Sequence, residues 1–140
     1  MTVVVDANVV VALSLDDARA GVVERQLRDW SDAGESLHAP SLFRFEVASA
    51  LTRNVAAGRI DLADAEAAWR RIVTMPVTLH DLEDGPAAIE VAQKLQRKSA
   101  YDAAYVVLAQ ELGADLWTLD GPLARNASSV GLPVRLIDVS

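Results

Sequence analysis

Thr2–Val5 is an unbroken run of β-branched residues with apolar side chains on both faces. That pattern belongs to a parallel strand covered by helices on both sides, not to a strand with one wet face. Asp6 ends the run. Similar short runs recur at Leu37–Ala39, Val77–Leu79, Asp115–Leu119 and Val134–Ile137, with helical segments between them. This alternation reads as an α/β fold: a three-layer sandwich with a mostly parallel central sheet of about five short strands flanked by helices. Parallel neighbours need long crossovers, and the sequence has room for two helices before the third strand and two before the fourth.

Local signals support the helices. Val23, Leu27 and Trp30 share one face before Gly34, and Asp61 with Asp64 precede a helix carrying Ala65, Trp69 and Ile72. Gly58 and Gly113 have the positions of helix stops. The 140 residues suit one domain spanning 1–140, with no repeat or linker; a chain this long buries roughly two thirds of its surface around a single core. Hydrophobic residues make up 51% of the chain but aromatics only 5%, so the expected core is built of Ala, Val and Leu.

Several functional classes drop out at once. The chain has no cysteine and two histidines, His38 and His80. A thiolate nucleophile, a disulfide frame and a Cys-type zinc site are thereby excluded, and any metal must sit on oxygen. His38 and His80 each lie at the end of a predicted strand with no acidic or nucleophilic motif around them, so they are expected to be surface or packing residues. The longest uncharged apolar stretch, around Ala103–Ala109, falls far short of the roughly 18 residues that cross a bilayer. The opening residues do not resemble a secretory signal, and the cytoplasm is the expected compartment. A net charge of −7 disfavours a broad basic surface for nucleic acid, yet allows a small basic patch beside a metal-loaded acidic pocket.

In open parallel sheets the ligand crevice lies beyond the carboxyl ends of the strands. Asp6 follows Val3-Val4-Val5 and Asp120 follows Leu116-Trp117-Thr118-Leu119, so each acid is delivered to that edge. Each also suits a helix N-cap. Glu46 and Asp102 stand inside apolar helical segments, among Leu42, Val47 and Ala50 and among Ala103, Ala104 and Val106. Either could be a first-turn acid complementing a helix dipole. A carboxylate pressed toward a core must otherwise be paired, hydrogen-bonded, protonated or metal-bound. If the fold gathers all four, close pairs repel by roughly 1 to 4 kcal/mol each, and the cluster calls for a cation. All-oxygen ligation suits Mg²⁺ or Mn²⁺, whose natural substrates are phosphate esters, so phosphodiester hydrolysis is the leading chemistry.

Four segments resemble, in order and spacing, the PIN-domain ribonucleases, specifically the VapC-like toxins of bacterial toxin–antitoxin pairs. They are Val4-Val5-Asp6-Ala7-Asn8, Pro40 through Leu51 around Glu46, Ser99 through Tyr105 around Asp102, and Thr118-Leu119-Asp120. The likeness spans nearly the whole chain. It implies an Mg²⁺-dependent endoribonuclease, with Mn²⁺ able to substitute, usually a homodimer and held inactive by a cognate antitoxin whose C-terminal segment blocks the acidic pocket. It further implies that Asp6, Glu46, Asp102 and Asp120 hold one or two ions directly or through water, with Asn8 and Thr118 as hydrogen-bonding groups that orient the carboxylates. Many relatives carry a basic residue soon after the last acid, whereas this chain continues Gly121-Pro122-Leu123-Ala124 before Arg125. Lys94, Arg97 and Lys98 form the nearest basic cluster and are the candidate RNA phosphate contacts, though a charge run is more often a solvated helix face.

Two rivals stay open on the sequence. A receiver-type phosphoacceptor module would use Asp81, but no lysine follows Lys98 to meet the phosphoryl group. A non-catalytic binding or dimerisation protein on the same fold could build a partner groove from Trp30, Trp69, Phe43 and Phe45, although aromatics at helical spacing are more often core. A phosphatase with an Asp-x-Asp pair fails because position 8 is Asn, and no Gly is followed by Lys, so a P-loop is absent.

Overall fold

The structure is a computed structural model and describes residues 1–15 and 17–139. Its elements run β1 (Thr2–Val5), α1 (Ala7–Ser14), α2 (Ala20–Asp32), β2 (Ser36–Pro40), α3 (Phe43–Ala56), α4 (Leu62–Val73), β3 (Val77–His80), α5 (Gly85–Lys94), α6 (Tyr101–Leu112), β4 (Leu116–Thr118), α7 (Gly121–Ser129) and β5 (Val134–Leu136). The sheet has five strands in the order β3-β2-β1-β4-β5, and every neighbouring pair is parallel. The fold expected from the alternating runs is therefore present, and all five strands fall on the predicted segments. A further helix pair, α1 and α2, occupies the first crossover.

The strand order positions everything that follows. The chain begins at the sheet centre, steps outward through β2 to β3, then returns to build β4 and β5 on the other side of β1. The direction of winding reverses between β1 and β4, and such a switch point opens a crevice beyond the strand ends. With right-handed crossovers, α1–α4 cover one face and α5–α7 the other. The helix α6 packs on β1, β2 and β4 and buries every residue from Ala103 to Ala109. A helix apolar on nearly all sides can exist only inside a core, which accounts for that long uncharged stretch. Gly113 ends it at φ +62, a backbone state in which a β-carbon would be strained.

Two strand ends are shorter than their apolar runs. β4 stops at Thr118 because the Leu119 N–H is taken by the Asn8 side chain at 3.1 Å, which diverts it from the ladder. β5 stops at Leu136, although the Ile137 N–H still reaches the Thr118 carbonyl at 2.9 Å. The α4 start fulfils the Asp61/Asp64 signal as a reciprocal capping box. The four aromatics that a binding-protein rival could have used do not line one groove: Trp69 packs partly buried against the core. Trp30 and Phe43 are buried in the core, Trp30 meeting Trp117 edge-on at 5.5 Å, and Phe45 points to solvent instead. With so few aromatic residues available, the large rings go to filling the core. Among the described residues no helix is long and apolar enough to cross a membrane.

Candidate active site

Register puts Val5 of β1 beside Trp117 of β4, so Asp6 emerges next to Thr118 at the switch point. Asp6 stands at the N-cap position of α1, yet its side chain makes no cap bond. Instead Asp6 Oδ2 accepts from the Thr118 hydroxyl at 2.9 Å and from Asn8 Nδ2 at 3.3 Å. Asn8 Nδ2 also donates to Thr118 Oγ1 at 3.1 Å, and the Asp120 N–H donates to the same oxygen at 3.0 Å. Thr118 is fully buried and thus ties three site residues together. Asn8 and Thr118 thus both hydrogen-bond to the Asp6 carboxylate.

Asp120 follows the blander of its two readings in part. Its Oδ1 accepts from the Leu123 N–H at 3.0 Å and caps α7. Glu46 and Asp102 occupy the first turns of α3 and α6. α3 leaves β2 and α6 feeds β4, so both first turns lie at the carboxyl edge of the sheet, one from each face.

Electrostatics shows which acids share a pocket. The Asp6 carboxyl is pushed up to about 7, first by burial and then by the negative charges of Glu46 and Asp102, against the opposing bond from Thr118. Glu46 is raised by burial and by Asp102, with Arg53 opposing. Asp102 is raised by burial and by Asp120, with Arg97 opposing. Asp6, Glu46 and Asp102 therefore each feel a neighbouring acid, and Asp120 reaches the set through Asp102. Two buried oxygens there lack a protein hydrogen-bond partner, Glu46 Oε1 and the Tyr105 hydroxyl. The Tyr105 hydroxyl lies near enough to ease ionisation of Glu46 without the alignment of a full hydrogen bond. Burial, with Asp6 and Glu46 nearby, raises Tyr105 above its ordinary value and keeps it protonated.

Among the described residues, no group of three or more His, Asp or Glu side chains closes tightly enough to enclose an ion. The acids share a field and not a ready-made coordination shell. The donor chemistry nevertheless fits a hard divalent cation. Every donor is oxygen, burial and neighbouring acids make the Asp6 carboxyl reluctant to ionise, a cost that a cation would offset, and Glu46 Oε1 is buried without a hydrogen-bond partner. Mg²⁺ commonly keeps several waters and takes only one or two carboxylates directly, which suits acids spaced this way.

The basic cluster divides. Arg97 Nε lies 3.6 Å from Asp102 Oδ2, at the site, whereas Lys94 pairs with Glu90 on the α5 surface at 3.6 Å. Lys98 is exposed in the turn between α5 and α6. Sequence reading gave Tyr105 no role, although its place three residues after Asp102 put it on the same helix flank. It also missed the return of Arg125: a β-carbon at Gly121 would meet Arg125 Nη1 at 2.9 Å, so this guanidinium folds back over the residue after Asp120. The histidines pack against each other, ring centroids 5.0 Å apart, and His80 ends β3 as expected, but His38 is not at a strand end. His38 sits inside β2, and its Nδ1 lies 2.8 Å from Nε2 of His80 on β3. Asp81 follows the edge strand β3, two strands away from Asp6, so the receiver-type site is not assembled.

The hydroxyl of Thr118 gives a direct prediction. Thr118→Val keeps the shape but leaves the Asp120 N–H and the Asn8 amide short of an acceptor, at a cost of about 1–3 kcal/mol. Denaturant unfolding should show that loss, with Thr118→Ser retaining more stability. Equal losses would assign the effect to the methyl group.

A doubly wound parallel sheet flanked by helices is the class of architecture that the four sequence segments implied. Residues 3–128 match the family model for the PIN domain. Ribonuclease VapC3 of Mycobacterium tuberculosis is 37% identical over 133 residues, covering 92% of this chain and 92% of that protein. Ribonuclease VapC12 of the same species is 32% identical over 124 residues, covering 89% and 91%. VapBC2 from Rickettsia felis, solved bound to a DNA fragment from their promoter, shares the fold with a TM-score of 0.68, at 13% identity, over 99% of this chain and 100% of that one. The chain belongs to the PIN-domain family, among the VapC ribonucleases.

Proposed function

We propose that the protein is an endoribonuclease that hydrolyses RNA phosphodiester bonds with Mg²⁺ or Mn²⁺ and acts as the toxin of a toxin–antitoxin pair. The observation that carries this reading is the repulsion among Asp6, Glu46 and Asp102, with Asp120 felt by Asp102, although the four acids come from separate elements. Such an arrangement has a cost in the absence of a cation and a use in its presence. The names of the relatives, ribonucleases that this chain matches along most of its length, agree with it.

The four acids would hold the ion, directly or through water. When bound, the ion supplies positive charge for the phosphate and activation of the attacking water. Thr118 and Asn8 fix the rotamer of Asp6, so the acid need not reorganise as charge develops. Arg97 holds Asp102 from its outer side, and Arg125 brings a positive charge to the rim beside Asp120. A water oxygen bonds to phosphorus as the bond to the ribose 3′ oxygen breaks. The leaving oxygen takes up a proton, leaving a 3′ hydroxyl and a 5′ phosphate.

Cytoplasmic RNA is the substrate in this reading, a cognate antitoxin the inhibitor and a homodimer the working assembly. The test is cleavage by purified, antitoxin-free protein. Total RNA should be cut in Mg²⁺ or Mn²⁺, and cutting should stop on adding EDTA and return with excess metal. Equal cleavage in EDTA would refute the metal mechanism, and absence of cleavage by metal-loaded protein would favour the binding-protein reading.

A further inference from the structure

Beside the acidic crevice lies a recess of about 220 Å³ lined by Leu42, Phe45, Glu46, Ser49, Arg53 and Tyr101. That is smaller than the roughly 300 Å³ at which pockets for drug-sized ligands begin, so it suits one ring system. Phe45 is 77% exposed and Tyr101 62% exposed, although this chain is poor in aromatic residues and buries Phe43, Tyr105 and Trp30. Phe45, Ser49 and Arg53 follow helical spacing along one stripe of α3, with Leu42 at its N-cap, and Tyr101 opens α6. Glu46 belongs both to this recess and to the acid cluster, and Arg53 is close enough to Glu46 to oppose its raised carboxyl.

Aromatic faces beside a cation are the recurrent device for gripping single-stranded nucleic acid. A ring stacks on any base, and an Arg offers both charge and a flat face. We propose that this recess is a stacking subsite for one unpaired base of an RNA strand, gripped by Phe45 and Tyr101, with the adjoining phosphate between Arg53 and the acids. The inference rests on the ribonuclease reading above and adds to it a base-binding position, built by Phe45 and Tyr101, beside the reacting centre. A duplex keeps its bases stacked inside and cannot supply one to the recess. The shared wall at Glu46 sets the recess at the border of the reacting centre, and two exposed rings beside a guanidinium match a base with its phosphate.

The test compares a short labelled single-stranded RNA with versions lacking one base at each position in turn. It reads affinity in EDTA by fluorescence anisotropy and KM in Mg²⁺. One abasic position near the cut should weaken binding or raise KM by on the order of 5- to 150-fold, the range that loss of one stacked base produces. Phe45→Ala should cause a similar loss on intact RNA and erase the difference between intact and abasic strands, whereas Phe45→Tyr should restore it. Phe45→Leu, apolar but without a ring, should behave as Ala does, which separates stacking from greasiness. Three results would overturn the subsite while leaving the ribonuclease reading in place. They are indifference of the parent to every abasic position, an equal loss on intact and abasic RNA in Phe45→Ala, and a drop in oligomeric mass of that variant at unchanged RNA affinity per protomer. The last would mark the patch as a contact between copies. A parent that neither binds nor cuts RNA would remove both readings together.

Discussion

Asp6→Asn is expected to lower RNA cleavage in Mg²⁺ by more than about 100-fold, because even the outer partners of metal ligands cost 10–100-fold when lost. Asn keeps the size of the side chain and can still accept from the Thr118 hydroxyl, which now donates to Asp6 at 2.9 Å, so the network and the fold should persist. What disappears is a full negative charge at the centre of the acid chain, the one nearest both Glu46 and Asp102 in effect. Asp102→Asn should behave similarly for the same reason. The surface lysine makes a clean control: Lys94 is paired with Glu90 away from the crevice, and Lys94→Ala should stay within about twofold of the parent, as expected for an exposed ion pair. Arg97→Ala, in contrast, should reduce cleavage clearly, since that guanidinium borders Asp102. Rates are to be measured under single-turnover conditions on folded, metal-saturated protein. Parent-level cleavage by folded Asp6→Asn would remove Asp6 from the site.

The scaffold was legible in the sequence because its signal is local. A strand buried on both faces must be apolar at consecutive positions, and Val3, Val4 and Val5 announce this without any knowledge of neighbours. The same locality exposed the acids, since Asp6 and Asp120 interrupt apolar runs at strand ends. What the sequence could not separate was their behaviour. Both follow a strand and precede a helix, and capping was an equal expectation for each. In the structure Asp120 caps α7, while Asp6 turns away from its helix toward Thr118, a residue 112 positions away. That choice depends on which strand lies beside β1, a consequence of topology that no local pattern carries. Arg125 illustrates the same point, since Gly121 through Ala124 separate it from Asp120 in the chain, yet one helical turn returns it over Gly121. The Lys94, Arg97 and Lys98 cluster looked uniform as a run of charge. Only packing divides it, by placing Asp102 beside Arg97 and leaving Lys94 on the far surface.

In metal-free buffer the protein should lose stability as the pH rises from about 4 to about 7, and Asp6→Asn should remove a large share of that loss. A carboxyl held near 7 in the folded chain, against 3.8 ordinarily, keeps a proton over that interval which the unfolded chain has already released. The folded state then binds more protons than the unfolded state, so stability falls with pH and levels off above about 7. For Asp6 the full difference is on the order of 4 kcal/mol, and Glu46 and Asp102, raised in the same direction, add to the slope. At roughly 3 °C per kcal/mol for a chain of this size, Asp6→Asn should melt several degrees above the metal-free parent near neutral pH and about level with it near pH 4. Mg²⁺ reverses the comparison. Binding to the native state alone stabilises the parent by about 2.7 kcal/mol at a hundredfold excess over Kd, with release of the Asp6 proton. The variant gains much less, so the two melting curves converge or cross as metal is added. If Asp6 were only a helix cap, Asn would replace it almost without change, because the two cap equally well. Both proteins would then shift in parallel with pH and with Mg²⁺. A thermal-melt titration of parent and Asp6→Asn at fixed ionic strength, repeated near pH 4 and pH 7.5, distinguishes these outcomes without knowledge of the RNA target. Parallel curves at both pH values would count against a buried, cation-seeking carboxylate at the switch point.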